Sequence, residues 1–571
     1  MARLKDFHGL DGTNFFERDR GFHLLLDELL EEDDRAPVFE SLARCGSLVA
    51  GRWNELAREA NRNENLPKII KQDAVGRPVE RVDFGPFTRQ LRREVAEFGL
   101  FTGARSEVHK FALVYLLAHN GEASLNCGIS CTDGLIRSIE ARGSDFLRKE
   151  YLPRLLSSET PFAGAQFVTE QSGGSDVGAI ESTAALNEDG TWAITGEKWF
   201  CSNPDEFFLV AARPEGARGG TGELAVFMVP RVLTNGEVNR ISFKRLKDKL
   251  GTRSLPTAEI DFDRAVGYAI GDTTEGFKTL MNYVINASRT HNAANACGFL
   301  HRAFLEARNY ARQREAFGHA LIDYPLIQES LVGMLEKLWR NRLLTFRLVA
   351  LIDRHGIAPE DASQSMWQRF LLNLAKYRTS VTLADSIREA ILVLGGNGIV
   401  EDFTILPRLL RDTLIIETWE GPHNTLCLQI LRDARRSPLV TRWRATIESL
   451  LEAWPRGLLE STRAAFERVF NETLSALSEE RLSDRGWVEA HARRIVDRMG
   501  GLLEVGWMAE MAARLEAAPT RDGTAAVLTS IAGYKLFSNE NGFDHPALAA
   551  MRAHAVPLIE EQVFQADVVR L

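Results

Sequence analysis

The stretch STAALNEDGTWAITGEKWF, residues 182–200, changes the pattern of the chain from helical to extended. Two runs rich in β-branched and aromatic residues flank the polar segment NEDG, which is typical of a β-hairpin. The segments EFFLVAARP, GELAVFMVPR and TAEIDFD follow as further short strands between turns rich in Gly and Pro. We therefore predict a central β domain over residues 161–275.

Helical periodicity surrounds this β domain on both sides. Residues 1–160 are predicted to be mainly helical, apart from residues 63–86, where Pro and Gly favour a loop. Long amphipathic runs return over residues 276–438, and one of them ends at GGNG, residues 395–398, a helix stop. Residues 439–571 form an additional helical module. The predicted fold class is therefore α+β, mostly α, in the order α, β, α, α.

The composition is that of an ordinary globular protein, with 45% hydrophobic and 26% charged residues in a chain of 571. No apolar run approaches the roughly 20 residues of a membrane span, and the first residues lack the core of a secretory signal. We therefore expect a cytoplasmic protein without a membrane partner. Cys127 and Cys131 have no His nearby, so we expect buried helical thiols and no metal site. The net charge of −9 does not favour nucleic acid.

Three short clusters carry residues suited to a cofactor, and each also has a simpler interpretation. In FVTEQSGGSDVGAIEST, residues 167–183, the glycines let backbone approach a phosphate and Ser175 adds a donor, although a plain loop is the alternative. In TGEKWFCSN, residues 195–203, two aromatics and a hydroxyl either hold a flat ring or pack the β core. Arg314, beside Phe317, either binds a ligand or complements a helix C-terminus.

A carboxylate suited to catalysis occurs in IIETWEGPHNTL, residues 415–426. Glu420 follows an apolar, strand-like run and precedes Gly and Pro, so we expect it on a turn. The neighbouring Trp419 would shield it from water, which suits a catalytic base. The simpler alternative is a solvated surface glutamate without a role.

The joint order of these clusters resembles the acyl-CoA dehydrogenase family over about residues 100 to 435. The matching motifs are ThrGlu at 169–170, GlySerAsp at 174–176, GlyGluLys at 196–198, LysLeuGlyThrArgSer at 249–254, Arg314 with PheGly, GGNG at 395–398 and TrpGluGly at 419–421. Within the family the chain is most similar to the AidB-like, alkylation-response branch. The extended N-terminus, the segment RLKDKLGTRS and the helical extension carry this second likeness.

The resemblance implies a fold, a cofactor and a reaction. The family fold has an N-terminal helical domain, a central β-barrel-like domain and a C-terminal four-helix domain. The cofactor is FAD, and the reaction is the α,β-dehydrogenation of an acyl-CoA, with electrons passed to an electron-transfer flavoprotein. Glu420 matches the base that removes the α-proton. Some members carry the base one residue before an Arg of the long helix, but here Ser288 precedes Arg289.

The resemblance also implies the residues of the binding site. The positions matched to the cofactor site are Gln166, Val168, Thr169, Gly174, Ser175, Phe200, Ser202, Arg314, Phe317, Gly396 and Asn424. Phe200 stands where the family usually has Trp, and Ser202 stands where it usually has Thr. The substrate would meet Arg289 and Gly421. Arg314, Phe317 and Gly396 would contact the cofactor of a neighbouring subunit, which implies a homodimer or a homotetramer.

An alternative function is an AidB-like flavoprotein with little turnover that binds nucleic acid or protects against alkylation. Such a protein needs a basic face, but residues 441–571 have 15 Lys and Arg residues against 19 Asp and Glu residues. Arg493, Arg494 and Arg498 form the candidate patch, with ordinary helix-surface charges as the simpler interpretation. An acyl-CoA oxidase would share the site of the dehydrogenase.

Overall fold

The computed structural model describes residues 6–455, 459–517, 524–537 and 545–560. The strands are β1 (Lys68–Gln72), β2 (Pro78–Asp83), β3 (Gly164–Phe167), β4 (Thr183–Leu186), β5 (Trp192–Ser202), β6 (Phe207–Pro214), β7 (Ala225–Pro230), β8 (Ile241–Leu246), β9 (Thr257–Ala269), β10 (Glu315–Ala316) and β11 (His319–Ala320). The helices up to β3 are α1 (Arg20–Leu29), α2 (Glu32–Ala50), α3 (Arg52–Ala60), α4 (Pro86–Phe98), α5 (Glu107–Ala118), α6 (Ala123–Arg142), α7 (Asp145–Glu150) and α8 (Leu152–Leu155). The later helices are α9 (Gly276–Thr279), α10 (Asn286–Gln313), α11 (Pro325–His355), α12 (Ala362–Leu394), α13 (Leu406–Ile416), α14 (His423–Arg436), α15 (Leu439–Glu452), α16 (Glu460–Ala476), α17 (Glu479–Ser483), α18 (Arg485–Ala517), α19 (Thr524–Phe537) and α20 (Pro546–Ile559).

The chain divides into two compact units. The first contains Met1–Gly51, Tyr115–His119 and Asn292–Leu571, and the second contains Arg52–Val114 and Asn120–His291. Strands β1 to β9 belong to the second unit, and the long helices α11, α12 and α18 belong to the first. The four-domain division over residues 1–160, 161–275, 276–438 and 439–571 stays a prediction.

The strands of the second unit close into a barrel. Strands β6, β4, β5, β9 and β7 pair in that order, and β7 pairs again with β6. Strand β3 adds to β6 in parallel, and β8 adds to β9. The predicted hairpin is β4 with β5, and its turn is closed by the N–H of Asn187, which donates to the carbonyl of Thr191 at 2.8 Å. The β-barrel-like domain that the family resemblance implies is therefore confirmed.

Strand β6 is buried on both faces, which explains its continuous apolar sequence. Phe208 and Val210 belong to the core inside the barrel, whereas Phe207 and Leu209 pack in a second cluster that includes Leu135 of α6. Because successive side chains of a strand point to opposite faces, one run of apolar residues serves both cores.

The segment predicted as a loop, residues 63–86, contains the antiparallel hairpin of β1 and β2, so that prediction is wrong. Ile69 pairs with Val82, and both side chains pack against the barrel core. The Asp73 carboxylate accepts hydrogen bonds from the N–H groups of Val75 and Arg77, each at 2.9 Å, and so holds the turn. The Pro and Gly residues mark the ends and turn of a hairpin here, not a continuous loop.

The helices of the first unit form a bundle that the C-terminal extension joins through buried charges. Helix α12 ends at Leu394, where Gly395 adopts a φ of +60°, as predicted for the GGNG stop. The Glu504 carboxylate on α18 accepts hydrogen bonds from Arg340 of α11 and Arg378 of α12, each at 2.7 Å. The predicted fold class, with its helical extension, is confirmed.

Cys127 and Cys131 are buried in α6 with their Sγ atoms 3.7 Å apart, so the prediction of buried helical thiols is confirmed. Among the helices that the structure describes, none is long and apolar enough to cross a membrane.

Candidate functional site

The predicted site residues fall into two groups, one in each compact unit. Those of the second unit are Gln166, Val168, Thr169, Gly174, Ser175, Phe200, Ser202 and Arg289. Those of the first unit are Arg314, Phe317, Gly396, Glu420, Gly421 and Asn424.

In the second unit, the loop that follows β3 lies against β5. The N–H of Trp199 on β5 donates to the carbonyl of Thr169 at 2.9 Å. Gln166 lies within β3, and its Nε2 donates to Oγ of the buried Ser288 at 2.9 Å. The hydrogen bond from Trp199 fixes the start of the loop. Val168 and Thr169 are both half-buried, so their side chains stay partly accessible.

A buried ion pair gives this loop its shape. Lys198 of β5 donates to the Glu170 carboxylate and also to the carbonyl of Val168 at 3.3 Å. The carboxylate also accepts the N–H of Ser182 at 3.2 Å, so it joins both ends of the loop. Burial opposes ionisation of Glu170, but the Lys198 charge and the hydrogen bonds outweigh it and hold the pKa of that carboxyl below its usual range.

Gly174 allows the same loop to fold tightly. A Cβ atom at this position would lie 3.1 Å from Cγ2 and 3.2 Å from Oγ1 of Thr169, so a larger residue would displace Thr169. The N–H groups of Glu170 and Gly173 each donate to the other's carbonyl at 3.1 Å. Ser175 is exposed at the end of this turn. Such a loop lets a phosphate approach the backbone closely.

Strand β5 presents an accessible aromatic ring and a hydroxyl. The Phe200 side chain is 54% exposed, and Lys247 Nζ lies 4.8 Å from its ring centroid. Ser202 Oγ lies 3.0 Å from Thr257 Oγ1 on β9. An accessible aromatic face, a hydroxyl and a glycine-bearing loop fit a flat ring system that carries phosphates, as FAD does.

In the first unit, Glu420 lies on the expected turn, between α13 and α14. The preceding run was predicted to be strand-like, but it is the end of helix α13, with Leu409, Thr413 and Ile416 on its buried face. Glu420 has a φ of +50°, and Gly421 has a φ of +105°. A residue other than Gly in this left-handed region costs about 1–3 kcal/mol, so the surrounding contacts must hold it there.

Asn292 of α10 contacts the Glu420 side chain. Its Nδ2 donates to Oε2 of Glu420 at 3.2 Å and to the carbonyl of Ile416 at 3.3 Å. Its Oδ1 accepts a hydrogen bond from Ser380 Oγ of α12 at 3.3 Å. The carboxylate is therefore linked to two helices of the bundle.

Titratable groups surround the turn. Lys376 is fully buried and donates to the carbonyl of Glu417 at 2.8 Å. Burial raises the pKa of Glu417. Burial, together with the charges of Lys376 and Arg493, lowers the pKa of His423 to about 4, so this ring is neutral at neutral pH. The His423 ring meets the Tyr377 ring edge to face at 5.3 Å.

The remaining predicted residues of the first unit lie on turns and helix ends. Arg314 directly follows α10, and Phe317 is 94% exposed at the tip of the β10–β11 hairpin, with a φ of +51°. Gly396 is exposed in the turn after α12, and an added Cβ atom would meet nothing within 4 Å. Asn424 lies in the first turn of α14, and its Oδ1 accepts a hydrogen bond from Arg493 Nε at 2.8 Å.

Sequence reasoning missed the residues that hold the Glu420 turn, namely Asn292, Lys376 and Ser380. A signal was present for Asn292, since it lies one helical turn after Ser288 and so on the same face of α10. Lys376 stands inside the apolar stretch LLNLAKY of α12. Neither signal identifies the residue that Asn292 or Lys376 contacts.

Three family models match consecutive parts of the chain. The model of the AidB N-terminal domain, an adaptive response protein, matches residues 7–160. The middle domain of acyl-CoA dehydrogenases matches residues 165–265, and their C-terminal domain matches residues 274–434.

Two similar proteins cover most of the chain. Acyl-CoA dehydrogenase family member 11 of Caenorhabditis elegans is 30% identical over 426 residues, which are 71% of this chain and 68% of the relative. AidB of Escherichia coli is 32% identical over 419 residues, which are 70% of this chain and 74% of the relative.

Solved structures show the same fold. ACDH-11 of Caenorhabditis elegans, in complex with C11-CoA, superimposes with a TM-score of 0.83 at 24% identity, covering 100% of this chain and 98% of that one. The apo form of Bd2924 superimposes with a TM-score of 0.78 at 28% identity, covering 89% of this chain and 99% of that one. An acyl-CoA dehydrogenase of Bacillus anthracis, complexed with FAD, superimposes with a TM-score of 0.71 at 18% identity. The match covers 83% of this chain and 90% of that one. The resemblance found in the motifs is confirmed, and the chain belongs to the acyl-CoA dehydrogenase family, in its AidB-like branch.

Proposed function

We propose that the protein catalyses the α,β-dehydrogenation of an acyl-CoA thioester, with Glu420 as the base for the α-proton. The observation that carries this proposal is the turn at Glu420. A carboxylate is kept there in the left-handed region, with a φ of +50°, before Gly421 and in contact with the buried amide of Asn292. Backbone strain of this kind is concentrated at functional sites.

As a member of this family the protein is an FAD-dependent dehydrogenase. FAD, when bound, supplies the acceptor for the hydride. In our proposal the accessible ring of Phe200 stacks on the cofactor, the Ser202 hydroxyl donates to its polar edge, and the backbone around Gly174 receives phosphate. The other positions that we propose for the cofactor in the second unit are Gln166, Val168, Thr169 and Ser175.

Glu420 would act on the carbon next to the thioester carbonyl. Its carboxylate takes the proton from this carbon, and the electron pair left behind forms the new double bond as hydride leaves the next carbon. Negative charge develops on the carbonyl oxygen during this step. We propose that the backbone N–H of Glu420 donates to that oxygen, and that Gly421 and Arg289 contribute to binding the substrate.

The substrate class and the electron acceptor belong to the same proposal. An acyl-CoA is the ligand in the structure of ACDH-11, and we propose an acyl-CoA for this chain on its family membership. We propose an electron-transfer flavoprotein as the acceptor. An acyl-CoA oxidase would use the same residues with oxygen instead, and rapid reoxidation of the reduced protein in air would distinguish it.

The exposed apolar residues of the first unit support a homodimer or a homotetramer. Phe317 is almost fully exposed, and Leu392 and Ile399 on either side of the GGNG turn are exposed as well. Large apolar side chains in such positions favour a protein partner. We propose that Arg314, Phe317 and Gly396 reach the cofactor of a neighbouring subunit.

The charges of the extension do not favour binding to nucleic acid. Arg498 forms an ion pair with Glu472 at 3.1 Å, and Arg493 donates to Asn424. Since two of the three arginines of the candidate patch are engaged within the protein, and the extension is acidic overall, few charges are available for phosphates. The dehydrogenase is therefore the function that we propose.

The test is an anaerobic titration of the FAD-loaded protein with acyl-CoAs of different chain length and branching. We expect one class to bleach the absorbance band of the flavin, which would also identify the substrate group. Bound FAD without bleaching by any acyl-CoA would contradict the proposal. In that case binding of duplex DNA at physiological salt would test the AidB-like alternative.

A further inference from the structure

We infer that Asn292 orients the Glu420 carboxylate for proton removal. This inference rests on the proposed function, because it assigns a positioning residue to the proposed base. It starts from the contact between Asn292 Nδ2 and Glu420 Oε2, at 3.2 Å.

The orientation of the Asn292 amide is determined by its neighbours. The Glu420 carboxylate and the carbonyl of Ile416 can only accept hydrogen bonds, and both lie on the same side of the amide. A rotated amide would bring its oxygen against two acceptors. The NH2 group must therefore face Glu420, while Oδ1 faces the hydroxyl of Ser380.

Burial strengthens the hydrogen bond between Asn292 and Glu420. Asn292 is 4% exposed, and its other bonds go to helices α12 and α13. A hydrogen bond to a charged group is stronger than one between neutral groups, and water competes for it less at a buried site. The amide therefore favours the anionic carboxylate that a base requires and holds it in one direction, without adding a charge of its own.

Charged groups also lie near the turn, and their hydrogen bonds go to residues other than Asn292. Lys376 of α12 donates to the carbonyl of Glu417, and Arg493 of α18 donates to Asn424. His423 of α14 is neutral at neutral pH. Removing the Asn292 amide leaves these charges in place.

The experiment compares Asn292→Ala and Asn292→Asp with the wild type in anaerobic single turnovers of the FAD-loaded protein. We expect the rate of flavin bleaching to fall about ten- to a hundredfold in the Ala variant, which is the usual cost of one hydrogen bond to a charged group. Affinity for the acyl-CoA should change little, since the amide contacts the proposed base and is not assigned to substrate binding. The acid limb of the pH–rate profile should move to higher pH, and further in the Asp variant, where a second carboxylate faces Glu420.

The matched control is Asn295→Ala, one helical turn further along α10. Asn295 is also buried, and its Oδ1 has no hydrogen-bond partner among the residues that the structure describes. We expect this variant to keep the wild-type rate and pH profile. The carboxylate band of residue 420, assigned by infrared difference between the wild type and Glu420→Gln, should shift in Asn292→Ala and not in Asn295→Ala.

The outcomes separate this inference from the proposed function. Wild-type rate, pH profile and infrared band in Asn292→Ala would overturn the positioning role, even with Glu420→Gln inactive. An equal loss in Asn295→Ala would overturn it too, because the effect would then be structural. Absence of bleaching in the wild type would instead contradict the proposed function. If the Ala variant fails to fold, Asn292→Leu, which is close to Asn in size and has no donor, decides the same question by the same readouts.

Discussion

Lys198 on β5 forms a buried ion pair with Glu170 in the loop after β3, and this pair determines the shape of the loop. Neither side chain has appreciable contact with solvent. The same carboxylate accepts the N–H of Ser182, at the far end of the loop. The glycine turn that we propose for the cofactor phosphates therefore depends on one charge pair inside the barrel domain.

Replacing Lys198 with Met should destabilise the protein strongly. The change leaves Glu170 buried without its partner, which typically costs about 3–5 kcal/mol. Urea unfolding of the purified variant measures this loss. The matched control is Lys244→Met, since Lys244 is a half-exposed lysine that pairs with Asp261 at 2.7 Å, and it should cost less than about 1 kcal/mol. Equal, small losses in both variants would refute the structural role of the buried pair.

Phe200→Ala should weaken the binding of FAD about two- to tenfold, because it removes the proposed stacking partner. The stability of the FAD-free protein should change little, since half of the side chain is already in water. Titration of the FAD-free protein with FAD, followed by flavin fluorescence, measures the affinity. Leu186→Ala, at an exposed position of β4, serves as the control and should bind FAD like the wild type. An unchanged affinity in Phe200→Ala would remove Phe200 from the site.

His423 should make the protein less stable as the pH falls from 6.5 towards 4. Its pKa in the folded state, about 4, lies below its ordinary value of 6.5, so in this range the unfolded chain binds a proton that the folded protein excludes. Between pH 7 and pH 5, His423→Gln should lose about 1 kcal/mol less unfolding free energy than the wild type, with solvent screening included. Urea unfolding at both pH values provides the comparison. The same pH dependence in both proteins would show that His423 is not held neutral.

Phe317→Asp should disrupt the proposed oligomer without unfolding the chain. The side chain is exposed at the tip of the β10–β11 hairpin, so a charge there is costly only if another subunit covers it. Sedimentation velocity should show a smaller species than the wild type. Val75→Asp, at an exposed position in the β1–β2 turn, is the control and should sediment like the wild type. A wild-type protein that sediments as a monomer would contradict the proposal.

The parts of the fold that depend on local sequence were predictable. The β4–β5 hairpin has two β-rich runs around a turn that includes Asn187 and Gly190, so its signal lies within about 20 residues. The β1–β2 hairpin escaped prediction because its strands are short and only partly buried, with apolar residues only at a few positions such as Ile69 and Val82. Its pairing is decided by packing against the barrel core.

The Glu420 turn was likewise predictable only in its local features. Its Gly and Pro residues predict a turn, and the structure has one. The preceding run was misassigned as strand-like because a short apolar segment with β-branched residues does not distinguish the two periods. The contact with Asn292 could not be predicted, since the two residues are 128 positions apart and a polar residue within a helix does not indicate its partner.

The most direct test of the account compares Glu420→Gln with Glu417→Gln in the FAD-loaded protein. Both carboxylates lie on the same turn, but only Glu420 is assigned as the base. Each variant is mixed anaerobically with an acyl-CoA that bleaches the flavin of the wild type. We predict that Glu420→Gln keeps its FAD and its yellow colour while the bleaching rate falls about a hundred- to ten-thousandfold, and that Glu417→Gln stays close to the wild type. Bleaching of Glu420→Gln at the wild-type rate would contradict the assignment of Glu420 as the base.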